Sequence, residues 1–338
     1  MEALNRLEDL LARKGTLLAD GATGTNLFDM GLQSGDPPEE WNITRPDDIR
    51  TLHRRFVEAG ADIILTNTFG ANRHRLKLHR FEDRVHEFNA AAARLAREVA
   101  DAADREVIVG GSIGPTGELF APLGALTYDE AVAAFVEQAE GLKVGGADVL
   151  WIETMSASEE MKAAAEAAAK VDMPFVVTAS FDTAGRTMMG LTPAGLGALA
   201  GEFACTPVAY GSNCGVGASD LLAAILEITQ AHPEAIVIAK ANCGIPEIKG
   251  DEVVYTGTPD LMGDYARLAM DAGARIIGGC CGTSFAHLAA MRGAIDAHKA
   301  AARPSVEEVV ARIGPLVSPP ATPTAEDGAG RRRSRRRG

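Results

Sequence analysis

Val-Glu-Ala-Gly-Ala-Asp-Ile-Ile-Leu (57–65), Lys-Val-Gly-Gly-Ala-Asp-Val-Leu-Trp (143–151) and Met-Asp-Ala-Gly-Ala-Arg-Ile-Ile-Gly (270–278) are copies of one unit. In each, a glycine ends a helix in a left-handed turn and a β-branched run enters a buried parallel strand. Working outward, strand-like runs are expected at 16–20, 62–69, 107–114, 149–154, 175–181, 208–214, 236–243 and 275–280. Segments of helical period lie between them, among them 46–59, 84–103, 128–144 and 221–229. Eight such alternations predict an α/β fold, a closed (β/α)8 TIM barrel, in preference to an open doubly wound sheet. The barrel is expected over residues 1–316, including one further helix within 304–316. Proline, alanine, threonine and glycine then replace the pattern, so 317–338 is expected to be a disordered Arg-rich tail.

With 46% apolar residues in 338, the chain can bury a large core. Its formal net charge of −13 includes six arginines between 331 and 337, which leave −19 on residues 1–330. An acidic body of that kind argues against nucleic acid or anionic membrane as a partner. The arginine run reads as a solvated tail, with salt-dependent docking to an acidic partner as the alternative. Five cysteines are an odd number, and neither a secretory signal nor an apolar run of about 18 residues or more accompanies them. A soluble cytoplasmic protein with free thiols is the expectation.

Three of those cysteines close strand-like runs and are followed by glycine: Cys214 in Gly-Ser-Asn-Cys-Gly (211–215), and Cys280 and Cys281 in Gly-Gly-Cys-Cys-Gly-Thr (278–283). Strand ends of a barrel converge on the face where active sites are built. Three thiolates give Zn²⁺ a tetrahedron with one open corner, the mark of a catalytic site. Neighbouring residues on a strand point to opposite faces, so Cys280 and Cys281 can share an ion only if the backbone turns sharply between them. A closed structural zinc, or cysteines as apolar filler, are the plainer alternatives, but the 66-residue gap from 214 to 280 is unlike local structural pairs. Three thiolates donate charge and weaken Lewis acidity, which suits holding a substrate thiol as a nucleophilic thiolate. The chemistry that follows is alkyl transfer to sulfur. A zinc hydrolase would want histidine or carboxylate ligands, and histidines 53, 74, 79, 86, 232, 287 and 298 fall in expected helices or connections. A non-catalytic thiol-binding zinc protein is the non-enzymatic alternative.

The motifs Asp-Gly-Ala-Thr-Gly-Thr (20–25), Thr-Asn-Thr-Phe-Gly-Ala (66–71), Gly-Ser-Ile-Gly-Pro-Thr-Gly (111–117), Ile-Glu-Thr (152–154), Asn-Cys-Gly (213–215) and the double-cysteine motif resemble the homocysteine S-methyltransferases over nearly all of residues 8–300. The chain looks most like the homocysteine-binding barrel of cobalamin-dependent methionine synthases and is also similar to betaine-homocysteine methyltransferases. The resemblance implies that Cys214, Cys280 and Cys281 ligate zinc and that Asp20 and Glu153 lie near the amino group of homocysteine. Thr68 and Ser112, with the amides of Ile113 and Gly114, are candidates to orient its carboxylate. Asn213 and Asn242 are candidates to hydrogen-bond around the metal shell, and Cys205 and Cys243 to be packed residues. The expected activity is a zinc-dependent homocysteine S-methyltransferase that forms methionine.

The donor is open to three readings. No Asp-x-His-x-x-Gly corrinoid signature occurs, and little chain follows residue 300, so a methylcorrinoid is expected on a separate protein, as in a split methionine synthase. Betaine requires an aromatic cage, for which Phe69 and Trp41 are the candidates, while Gly70 stands where animal-type betaine enzymes carry tyrosine. S-methylmethionine is the third.

Overall fold

The computed structural model describes residues 5–249 and 252–319. All eight expected runs form strands: Leu17–Leu18, Ile63–Leu65, Ile108–Ile113, Val149–Met155, Phe175–Ala179, Ala209–Cys214, Val237–Ala241 and Ala274–Gly279. They are called here the first to the eighth. Every neighbouring pair is parallel, and the order around the sheet runs 1-8-7-6-5-4-3-2. The remaining seam between the first and second strands closes through a single bridge, Ala19 to Ile63, with the Asp62 amide donating to the Leu18 carbonyl at 2.7 Å. The expected α/β barrel is therefore the fold, nearly closed.

Helices Pro46–Glu58, Val85–Asp101, Tyr128–Gly145, Ser158–Lys170, Pro193–Ala200, Ala218–Ala231, Pro259–Asp271 and Phe285–Asp296 follow the strands in turn. Local chemistry sets their ends: Thr127 and Glu130 form a capping box at the start of one, and Gly146 stops the same helix at φ +96°. The strand period of two then sorts the apolar residues. Ile64, Leu150, Val237, Ala239 and Ile277 pack outward under the helices, whereas Ile63, Leu65, Val149, Trp151, Ile238 and Ile276 fill the barrel. Helix Arg6–Lys14 lays Leu7, Leu10 and Leu11 onto that inner cluster and closes the N-terminal end.

Some strands are shorter than expected. The second leaves the ladder after Leu65, because the Thr68 amide turns back to the Thr66 carbonyl at 2.9 Å. The seventh ends at Ala241 and is followed by an antiparallel hairpin, Pro246–Lys249 with Glu252–Tyr255, that the sequence reading did not include. The expected C-terminal helix spans Val306–Ile313. Beyond it the amides of Val317 and Ser318, assigned above to the tail, donate to the Asp220 carboxylate at 2.9 and 2.8 Å. The arginine run lies outside the described residues. Among the described residues, no helix is long and apolar enough to cross a membrane.

Candidate metal centre and substrate cavity

Cys214 ends the sixth strand in the left-handed region, at φ +60°, which swings its thiol off the strand toward the eighth. The backbone turn expected at the double cysteine is present. The Cys280 amide still donates to the Ala241 carbonyl at 2.6 Å, the Thr283 amide returns to the Cys280 carbonyl at 3.1 Å, and Gly282 sits at φ +78°. A β-carbon on Gly282 would lie 2.3 Å from Cγ of Tyr255, so this turn accepts only glycine while the hairpin's tyrosine covers it. The three thiols converge: their sulfurs lie within 4.8 Å of one another, with Cys214 and Cys281 3.9 Å apart.

Three thiolates repel one another. In the protein alone, hydrogen bonds from Cys214 and Cys280 hold the Cys281 thiol well below the usual thiol range, while Cys214, hydrogen-bonded to Cys280 and Cys281, is pushed far above it. The cluster thus holds one negative charge readily, and a dication at its centre would let all three sulfurs ionise. Two further features fit a metal there. The Asn213 amide reaches the Cys280 sulfur at 3.9 Å, and the buried Asn242 carbonyl oxygen has no hydrogen-bond partner, although its amide nitrogen donates to the Gly215 carbonyl at 2.7 Å. Cys243 is not in the cluster. It is fully buried, its amide donates to the Cys281 carbonyl at 2.9 Å, and burial pushes its thiol up to about 11. Cys205 packs half-buried against the outer core.

The thiols line a cavity of about 450 Å³ that opens on the C-terminal face. Thr68, Phe69, Ser112 and Glu153 also line it, as do Lys240, Arg75 and His79. Asp20 does not; it sits behind Lys240. Its carboxylate takes the Leu65 amide at 2.7 Å on one oxygen and the Lys240 ammonium at 2.9 Å on the other. Both partners are buried. Burial pushes the Asp20 carboxyl above its ordinary range, with Lys240 acting against it. For Lys240 burial works against the ammonium, but Asp20 and Glu153 outweigh it and hold the lysine above its ordinary value. Burial likewise raises Glu153, to about 7, and the carboxyl accepts a 2.6 Å hydrogen bond from the Ser112 hydroxyl.

The residues expected to orient a carboxylate are engaged with one another. The Ser112 amide donates to Thr66 Oγ1 at 2.9 Å, the Thr66 and Thr68 hydroxyls lie 2.6 Å apart, and Thr68 donates to the Ser112 carbonyl at 2.7 Å. The Gly114 amide donates to the Phe69 carbonyl at 3.1 Å. Asn213 ties the floor together: its carbonyl oxygen accepts from the Thr154 amide at 2.8 Å and the Thr178 hydroxyl at 2.7 Å. Trp41, proposed with Phe69 for a cation cage, is buried with the Arg45 guanidinium 3.8 Å over its ring, so it does not face the cavity.

Lys240 is the charged residue the sequence reading missed. Its signal was the strand period: Ile238 faces inward and Val237, Ala239 and Ala241 outward, so Lys240 must face inward too.

Comparison with known proteins agrees with this architecture. Methionine synthases of Mycobacterium leprae (strain TN) and Mycobacterium tuberculosis (strain ATCC 25618 / H37Rv) are 32% and 31% identical over 305 residues, which cover 86% of this chain and 25% of theirs. The chain spans about a quarter of the length of these curated relatives. The homocysteine methyltransferase MmuM from Escherichia coli shares the fold, with TM-scores of 0.74 in its oxidized form and 0.73 in its metallated form. In both it is 24% identical, over 86% of this chain and 99% of that one. The family profile described as Homocysteine S-methyltransferase matches residues 17–295, a span that takes in all eight strands and both cysteine motifs; the chain belongs to the homocysteine S-methyltransferase family.

Proposed function

We propose that this chain is a zinc-dependent homocysteine S-methyltransferase whose zinc is held by Cys214, Cys280 and Cys281. The observation that carries the reading is the convergence of three thiols in a cavity that also presents Glu153. Zinc bound there would keep the substrate thiol deprotonated near neutral pH, where a free thiol, with a pKa near ~8.5, is mostly protonated. Glu153, when ionised, pairs with the α-ammonium, and Ser112 holds that carboxylate in place through its 2.6 Å hydrogen bond. Phe69, at the mouth, shields the reacting sulfur from water. In the transfer, a carbon–sulfur bond forms to the methyl group, the bond from methyl to its carrier breaks with its electron pair going to the carrier, and the thiol proton leaves to solvent.

For the donor, the cavity favours a methylcorrinoid carried by a protein. Phe69 and the His79 imidazole are the aromatic groups among the described residues lining it, with Tyr255 beside Cys281 at the double-cysteine turn, a sparse set for a quaternary ammonium cage. Gly70 has no ring to add, and a β-carbon there would lie 2.8 Å from Glu39 Oε1. Phe28, Leu78, Leu119, Leu123 and Met188 stand exposed in the segments that join the strands to the barrel helices, and Leu78 lines the cavity itself, apolar surface suited to a broad partner. The likeness to methionine synthases points the same way. The test offers zinc-loaded protein and homocysteine methylcobalamin, a methylated corrinoid protein, betaine and S-methylmethionine in separate reactions and quantifies methionine. Turnover with the corrinoid donors is expected. Saturable turnover with betaine or S-methylmethionine alone would overturn the donor assignment, and no methionine from any donor would overturn the activity.

A further inference from the structure

Of the three charged carboxylate and ammonium groups at the cavity floor, only Glu153 and Lys240 line the space; Asp20 is screened from it by the lysine. A lysine ammonium has three N–H donors. Lys240 directs two at Asp20, to Oδ1 at 2.9 Å and to the backbone carbonyl at 3.3 Å, which leaves one for the cavity. The hydroxyls and amides nearby are already used, because Thr68, Ser112 and the Gly114 amide are hydrogen-bonded within the protein, and the other cation lining the cavity, Arg75, is exposed on the short helix Arg73–Leu76, whereas Lys240 is buried. The lysine is also built into its place. Its stem runs past Gly278, where a β-carbon would lie 3.0 Å from its Cγ, and its ammonium is 5.8 Å from the centre of the Trp151 ring. An anion and a cation together on the floor of the cavity match a zwitterion.

Resting on the functional reading above, we infer that Lys240 is the specificity-determining residue for the substrate's α-carboxylate, with Glu153 taking the α-ammonium and Asp20 holding Lys240 in position. The cavity is thereby matched to an α-amino acid thiol and opposed to a simple amine thiol or mercapto acid.

The experiment measures thiol binding to zinc-loaded protein by calorimetric titration under reducing conditions, for the wild type and for Lys240→Met and Lys240→Gln. The ligands are homocysteine, 3-mercaptopropylamine, which lacks the carboxylate, and 4-mercaptobutanoate, which lacks the ammonium. Wild type should prefer homocysteine to 3-mercaptopropylamine by roughly ten- to a hundred-fold, the range of a charge-assisted hydrogen bond. Both variants should lose that preference while keeping their preference over 4-mercaptobutanoate, with zinc content unchanged. A wild type that binds homocysteine and 3-mercaptopropylamine equally overturns the inference whatever the variants do. So does retention of the carboxylate preference in the variants, or loss of only the ammonium preference, which would make Lys240 merely a support for Asp20. Failure of the wild type to bind any thiol would instead overturn the functional reading, and this inference with it.

Discussion

Glu153 stands beside Lys240 and the thiols with its carboxyl raised to about 7 by burial, against an ordinary value of 4.5. Between those two values the folded protein binds a proton that the unfolded chain has released, so stability falls as pH rises from about 4.5 through 7. Glu153→Gln removes this dependence. In pH-resolved denaturant unfolding the variant should be more stable than wild type at pH 8, by roughly 1–3 kcal/mol, with the gap closing toward pH 4; a constant gap would contradict the buried ionisation. The same variant should bind homocysteine about ten- to a hundred-fold more weakly at pH 8 without losing zinc. Asp20→Asn has a different consequence, because it removes the carboxylate charge to which the buried Lys240 ammonium is hydrogen-bonded and leaves only Glu153 opposite it. It should destabilise the fold by about 3–5 kcal/mol, the usual cost of breaking a buried pair. Asn213→Ala strips the acceptor from the Thr154 amide and the Thr178 hydroxyl and should cost about 1–3 kcal/mol in the same measurement.

At the scale of elements, the metal-site turn and the hairpin after the seventh strand are locked together through Gly282 and Tyr255. Gly282→Ala forces a β-carbon into the tyrosine ring at a left-handed backbone position, so the turn must shift. Zinc analysis after dialysis should show reduced retention in this variant, and Tyr255→Ala in the same chain should restore part of it; full retention in Gly282→Ala alone would show the turn to be looser than described. These elements also mark what the sequence made legible. The repeated glycine-to-strand unit announced the barrel because local capping and strand period are written in neighbouring residues. Cys214, Cys280 and Cys281 were readable because each lies at the end of a strand or just past it. The hairpin was not, since its two strands are only four residues long and the first opens on Pro246, two residues after Gly244. Lys240 was passed over because a lysine inside an apolar run reads as exposed, and its partner Asp20 is 220 positions away. Trp41 looked free in sequence, although Arg45, four residues on, covers it.

At the scale of the molecule, the two ends of the barrel have separate duties. Helix Arg6–Lys14 seals the N-terminal end with leucines, and the strand ends at the other carry the thiols, Glu153 and Lys240 on a rigid ring. That separation predicts that metal loss leaves the fold intact: Cys281→Ala should keep wild-type far-ultraviolet circular dichroism and a cooperative unfolding transition while binding no zinc, and a collapse of both would make the metal structural. Whether a three-thiolate zinc receives the thiol of homocysteine is read out by X-ray absorption at the zinc edge on the purified protein. About one zinc per chain with three sulfur neighbours is expected, rising to four when homocysteine is added. Absence of zinc above background, or a sulfur count unchanged by saturating homocysteine, would contradict that reading.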